Sequence, residues 1–231
     1  MDAKQFVKKL VEDNQALFKA SQINVKAYFD SKPDQDVLVE HFVGRMVNER
    51  MNMVEIANAI ATMPADTPTE ELELLTRQAQ DEAKHFRMVK EVIEHMTGQP
   101  LDVAAAIAAE TAKPTAKGAG LLAKYGAETA PGALAAYQLV AEGRAEAVWN
   151  QMADCIDDEF ISTSYAKIAR DEGFHSNIGG WKLEKLAQDE ATQQRVEALV
   201  VKMRQDLYDI SCRNTVAAEA GKQLVADAYG W

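Results

Sequence analysis

The pentapeptide Asp81-Glu82-Ala83-Lys84-His85 has a second copy in the chain, Asp171-Glu172-Gly173-Phe174-His175, and few folds can use both. On an α-helix, residues three apart lie about 60° apart around the axis and about 4.5 Å along it, so each Glu and its His present an oxygen and a nitrogen to one point. A single E-x-x-H arises readily in an acidic helix. With only 4 histidines available, two of them preceded by a pair of acidic residues at the same offset has chance odds on the order of a few in a thousand, before the order Asp-Glu is required. Carboxylate with imidazole suits iron, manganese or zinc, and a motif without thiolates points away from iron–sulfur clusters and structural zinc. The two cysteines, Cys155 and Cys212, lack C-x-x-C spacing and suggest neither a disulfide framework nor a rubredoxin-type site.

Both motifs fall in segments with a helical period, as does nearly all of the chain, and no run alternates like a strand, which predicts an all-α fold in a single domain over 1–231. A first helix is expected over about 2–30, outside the metal site, and ends at Ser31-Lys32-Pro33-Asp34. The second, about 35–62, carries Phe42, Met46, Glu49, Met53, Ile56 and Ile60 on one stripe and stops at the proline-rich run Met63–Pro68. The third starts near Thr69, with Glu70 and Glu71 favouring its N-terminal dipole, and ends near Gly98-Gln99-Pro100. From about 101 to 130, Pro114, Gly118, Gly120 and Gly126 break the pattern into a crossover with short helical pieces. A fourth helix, about 131–155 with Pro131 in its first turn, buries Leu139, Glu142, Trp149 and Met152. The fifth, about 159–187, carries Ile161, Tyr165, Ile168, Glu172 and His175, and Gly179-Gly180 is a candidate bend or interruption. A last helical region is expected over about 190–228.

The partners of each motif follow from hairpin symmetry, since residues equidistant from a turn lie at one height on antiparallel helices. Glu49 and the Glu82/His85 turn have their midpoint near Asp66, and Glu142 and the Glu172/His175 turn have theirs near Asp158. Both carboxylates sit among apolar neighbours, where an unpaired charge is costly and a dication offsets the cost. Glu55 ranks below Glu49 because it lies among Asn48, Asn52 and Asn58 on what reads as the polar side. Glu146, one turn beyond Glu142, is a candidate extra ligand or a supporting acid. His41 and His95 lack the motif spacing and read as surface or ordinary hydrogen-bonded histidines.

The bulk composition narrows the setting. A formal net charge of -11 without a basic stripe argues against nucleic acid. No apolar stretch approaches the ~20 residues that span a bilayer, and the N-terminus runs into an amphipathic pattern, so a soluble, cytoplasmic protein with no membrane partner is expected.

Two helices each giving a Glu and two more each giving E-x-x-H resemble the ferritin-like diiron carboxylate proteins, over about residues 35–187. The resemblance implies a four-helix bundle with additional N- and C-terminal helices. It implies two iron ions, with manganese or a mixed Mn/Fe pair as alternatives, bridged by Glu82 and Glu172, with His85 and His175 as terminal ligands and Glu49 and Glu142 completing each ion. Asp81 and Asp171 would accept hydrogen bonds from ligand histidines and orient them. The run Arg170–Gly179 is similar to the second motif of the aldehyde-deformylating oxygenases, and multicomponent and acyl-CoA-type diiron oxygenases share the D-E-x-x-H plan. The expected activity is therefore that of a diiron oxygenase or oxidase, in which dioxygen is activated and a small organic substrate oxidised. Gly143 beside Glu142, with Ala145 and Ala147, either leaves room for that substrate or lets helices pack closely. Val89 stands one turn after His85 where a radical-storing reductase subunit of the ribonucleotide type would have tyrosine. No reductase segment is present, so electrons are expected from a separate ferredoxin or flavin reductase, and a homodimer is the expected assembly. The alternatives are an iron-handling or peroxide-removing protein (ferroxidase, manganese catalase or peroxidase) and a metal-free structural subunit.

Overall fold

A computed structural model describes residues 1–113, 118–126, 132–210 and 219–231, and these contain helices and no strand. The helices are α1 (Ala3–Asp30), α2 (Gln35–Ala61), α3 (Thr69–Thr97), α4 (Val103–Thr111), α5 (Gly118–Gly126), α6 (Ala133–Tyr137), α7 (Gly143–Cys155), α8 (Glu159–Leu186), α9 (Glu190–Tyr208) and α10 (Glu219–Tyr229), with a π-helical turn, Gln138–Glu142, joining α6 to α7. They form two compact units, one of residues 33–123 and one of residues 1–32 with 124–231. Among the described residues no helix is long and apolar enough to cross a membrane.

The unit of residues 33–123 is built on the α2–α3 hairpin, with α4 packed on α2. Phe42, Met46, Ile56, Leu75, Val89 and Ile93 are its buried apolar stripes, placed at the helical period that the sequence displays. The turn between the helices follows from its prolines. Pro64 and Pro68 donate no backbone hydrogen bond, and Thr67 closes the loop with both its N–H (3.0 Å) and its hydroxyl (2.7 Å) on the Pro64 carbonyl. At the far end of α3, Gly98 takes φ 66 and returns its N–H to the Glu94 carbonyl, a conformation that costs glycine little.

In the other unit α1 packs along α7 and α8 and also meets α9 and α10. Tyr229 ties α10 down, its hydroxyl donating to the Asp13 carbonyl at 2.7 Å and accepting from the Leu17 N–H at 3.2 Å. The buried Arg204 lies 4.4 Å from the Tyr229 ring centroid and donates to Asn14 Oδ1 at 2.9 Å, which satisfies a charge that burial alone would penalise.

Two expectations from the sequence change here. The fourth helix is not one α-helix. It starts at Ala133 after Gly132 (φ 89) and widens into the π-turn before α7, while Pro131 lies outside the described residues. Conversely, Gly179-Gly180 does not interrupt α8, which runs unbroken from Glu159 to Leu186. The two observations are linked. A Cβ on Gly179 would lie 2.5 Å from both the Ala135 carbonyl oxygen and the Leu139 nitrogen, so the glycine is there for close approach of α8 to the π-turn. The crossover contains the short pieces α4 and α5, with Pro114 outside the described residues, and the last region comprises α9 and α10 with 211–218, Cys212 included, outside them.

Candidate metal centre

In the α2–α3 hairpin, Glu49, Glu82 and His85 each offer a ligand atom, and these atoms lie within 4.8 Å of one another. Glu82 and His85 are fully buried and Glu49 is 3% exposed. His85 Nδ1 stands 3.4 Å from Glu49 Oε2 and 3.9 Å from Glu82 Oε2, spacings too long for hydrogen bonds but suited to donors that share a central cation. Glu49 Oε2 is buried and makes no hydrogen bond.

The other unit repeats the donor set. Glu142, Glu172 and His175 offer ligand atoms within 4.8 Å of one another, all of them buried. His175 Nδ1 is 3.1 Å from Glu172 Oε2. Glu142 ends the π-turn, where the Gly143 N–H bonds to the Val140 carbonyl and the Leu139 carbonyl accepts the Ser176 hydroxyl at 3.1 Å. Such a widened turn shifts the register of the helix and commonly occurs at functional sites.

Each triad places two carboxylates and an imidazole in a buried pocket, a formal charge of about -2 when the histidine is neutral, and one divalent cation balances it. The donors are oxygen and nitrogen, the set that holds iron, manganese or zinc. The residues present thus fit a bound transition-metal ion, and the Nδ1 atoms are the histidine donors that face the carboxylates.

The remaining candidates lie outside these groups of converging ligand atoms. Glu146 is half-buried and outside both groups of converging atoms. Its carboxylate oxygen lies 2.9 Å from where a Gly173 Cβ would be, and burial, reinforced by the charge of Glu172, raises its pKa above the usual carboxylate value. Asp81 is 8% exposed, with Lys84 Nζ at 2.7 Å and Arg77 Nε at 3.7 Å. Asp171 and Glu55 are half-buried. His95 is exposed. His41 is half-buried, and burial, with Arg45 nearby, lowers its pKa to about 3.

Sequence reasoning missed the buried amides. Asn52, read as part of a polar face, is 5% exposed, and Gln78 and Gln138 are fully buried. Asn52 follows Glu49 by three residues, while Gln78 and Gln138 precede Glu82 and Glu142 by four, so all three share a helical face with a ligand. That spacing was the available signal. Sequence reasoning also missed an open cavity of about 780 Å³ bounded by α1, the π-turn, α7 and α8, whose lining includes Phe18, Gly143, Glu146, Gly173 and Ser176. Helix α1, expected outside the metal site, supplies one wall of it. Gly143 lines the cavity, and a Cβ there would meet Phe18 Cζ at 3.0 Å and Ser176 Oγ at 3.1 Å, so the close packing foreseen for it is present.

Comparison with protein-family models, curated proteins and solved structures finds no match to this chain.

Proposed function

We propose that the chain is a non-heme diiron oxidoreductase that activates dioxygen to oxidise a small organic substrate. The observation that carries this reading is the twofold occurrence of one buried donor set, Glu49/Glu82/His85 and Glu142/Glu172/His175, each with its ligand atoms converging within 4.8 Å. Burying four carboxylates with so little exposure is hard to account for as packing alone, because each would carry a desolvation cost that protonation or a cation must offset. By its resemblance to the diiron carboxylate plan, the paired motif would hold the metal ions through these six residues, Glu49, Glu82, His85, Glu142, Glu172 and His175. When bound, the metal pair would supply dioxygen reduction, with electrons from a separate ferredoxin or flavin reductase. The chain itself holds the imidazoles by their helices, excludes water from the ligands by burial, and sets Glu146 where burial and the charge of Glu172 raise its pKa.

Anaerobic Fe(II) titration followed by mixing with oxygen tests the reading. Wild-type protein should take up two irons per chain and give an oxygen-dependent absorbance transient, and His85→Ala and His175→Ala should each lower the uptake. Unchanged iron binding in both variants would remove these residues from the site. Uptake of iron with no reaction toward oxygen would leave a metal-binding protein without the oxidase activity.

A further inference from the structure

Helix α10 is fastened to α1 by packing and, separately, by one hydroxyl. Val225 is fully buried, and a Cβ on Gly221 would lie 2.9 Å from Asn24 Oδ1 and 3.2 Å from the Ala20 carbonyl oxygen, so the glycine lets the two helices approach closely. The Tyr229 ring adds the Arg204 guanidinium, 4.4 Å from its centroid, and the Trp231 ring, 4.9 Å between centroids. The Tyr229 hydroxyl does something else. It donates to the Asp13 carbonyl at 2.7 Å and accepts the Leu17 N–H at 3.2 Å, and these two groups are four residues apart, the pair that one rung of an α-helix joins. Side chains that enter the ladder in this way bend helices, so the hydroxyl acts on the shape of α1 and not only on the docking of α10.

The same turn of α1 holds the start of α7. The Leu17 carbonyl accepts the Ser21 hydroxyl at 2.9 Å, and Ser21 Oγ in turn accepts from Arg144 Nε at 3.1 Å. A serine bonded back to the carbonyl four residues earlier is a second device that bends helices. Phe18, the neighbour of Leu17, has its Cζ 3.0 Å from where a Gly143 Cβ would be. Leu17 is fully buried and Ser21 is 2% exposed, so water does not compete for these bonds. A chain of contacts thus leads from Tyr229 through Leu17 and Ser21 to Gly143 and Arg144, the two residues that follow Glu142.

We infer that Tyr229 is a positioning residue for the second triad: its hydroxyl sets the turn of α1 from Leu17 to Ser21, and that turn sets the start of α7 and with it Glu142. The rung has two arrangements that satisfy its groups. With the hydroxyl in place, Leu17 N–H and the Asp13 carbonyl bond to Tyr229. Without it they can bond to each other, and α1 is left with no unmet backbone group. The exchange is therefore cheap in hydrogen bonds, and what it alters is the placing of Phe18 and Ser21 against α7. That Glu142 is a metal ligand rests on the diiron reading, whereas the coupling of α10 to α7 does not.

Hydrogen exchange of the full chain, without added metal and followed by mass spectrometry, tests the coupling. Tyr229→Phe removes the hydroxyl and keeps the ring that meets Arg204 and Trp231. It should speed exchange about tenfold over 143–150 in α7, the scale of one buried hydrogen bond, and leave α2 and α3 unchanged. Ser21→Ala should give the same rise in α7 while α10 keeps its protection, and it decides alone if Tyr229→Phe does not fold. In the double variant the two effects should not multiply, because both interrupt one chain of contacts. Unchanged exchange in α7, a rise confined to α1 and α10, a rise spread evenly over all helices, or effects that multiply would overturn the proposal. The iron titration is read separately: lost iron uptake with the exchange pattern intact removes the diiron reading, and intact uptake without the pattern removes the coupling.

Discussion

The α2–α3 hairpin and the π-turn/α7–α8 hairpin carry the same donors in different surroundings. Glu49 sits within uninterrupted α-helix, and the residues after its three ligands are Arg50, Ala83 and Phe86. Glu142 ends a π-turn, and the corresponding residues are Gly143, Gly173 and Ser176. His85 Nδ1 stands 3.4 and 3.9 Å from its carboxylates, while His175 Nδ1 is within hydrogen-bond distance of Glu172 at 3.1 Å. The difference separates two requirements. Convergence of ligands needs only the helical period, which both hairpins have. A cavity beside the ligands needs small residues one step round the helix, and those stand in the second hairpin, where α1 supplies the facing wall.

The sharpest way to break the second hairpin is at Gly179. Its missing Cβ leaves room for main-chain atoms of Ala135 and Leu139, which cannot swing aside as a side chain would. Gly179→Ala should therefore cost about 3 kcal/mol or more and lower the melting temperature by several degrees, as overpacking does. Gly180→Ala is the matched control. Its added methyl would meet Val7 Cγ1 at 3.6 Å and Leu139 Cδ1 at 3.7 Å, ordinary contacts, so better helix propensity should leave stability unchanged or raise it by about 0.5–1 kcal/mol. Equal melting temperatures for the two variants would mean that the π-turn can move away from α8, and thermal denaturation followed by circular dichroism decides it.

The same contrast explains what could be read in advance. The helix boundaries and both triads were legible because apolar stripes and E-x-x-H spacing are local, and Glu49 and Glu142 followed from distance to the turn. The π-turn was not, because Gln138–Glu142 has an ordinary helical composition and the close approach of Gly179 to it comes from far away in the chain. Gly179-Gly180 reads as a bend or interruption for the converse reason: glycine weakens an isolated helix, and only tertiary structure reveals the backbone that it admits. Phe18 lies half-buried on the cavity wall, a place that the helical period of α1 alone does not reveal. Asn52 was assigned to solvent by residue type, although its place three residues after Glu49 put it on the ligand face.

Acid should act on the hairpins in opposite directions. His41, on α2, has its pKa lowered to about 3 by burial and by Arg45, so between that value and about 6.5 the unfolded chain binds a proton that the folded chain does not. Its contribution is fully present above about pH 6.5 and is lost as pH falls, up to about 2 kcal/mol by pH 5. Glu146, on α7, has its pKa raised by burial and by Glu172. Its contribution is greatest below the ordinary glutamate range and declines as pH rises through the raised value. His41→Gln should thus flatten the loss of stability between pH 6.5 and 5, and Glu146→Gln should raise stability at neutral pH while leaving that loss in place. A His41→Gln profile parallel to wild type in urea titrations over this range would show that His41 protonates in the folded state.

The smallest effect separates the two hairpins at their helix starts. Asp158 caps α8, its Oδ1 accepting the Ile161 N–H at 3.1 Å, whereas Asp34 at the start of α2 makes no capping bond with its side chain. A cap satisfies a backbone donor that the first helical turn leaves open, and its negative charge also meets the positive end of the helix dipole. Asp158→Ala removes both and should cost about 1 kcal/mol. Asp34→Ala removes only the exposed charge and should change stability by less than about 0.5 kcal/mol. Because α8 carries Glu172 and His175 more than two turns from this cap, Asp158→Ala should leave metal uptake unchanged while lowering the denaturation midpoint. A loss of iron binding on Asp158→Ala would mean that fraying at the start of α8 propagates to its ligands, and that the second hairpin holds its donors by the whole helix rather than by the packing around the π-turn.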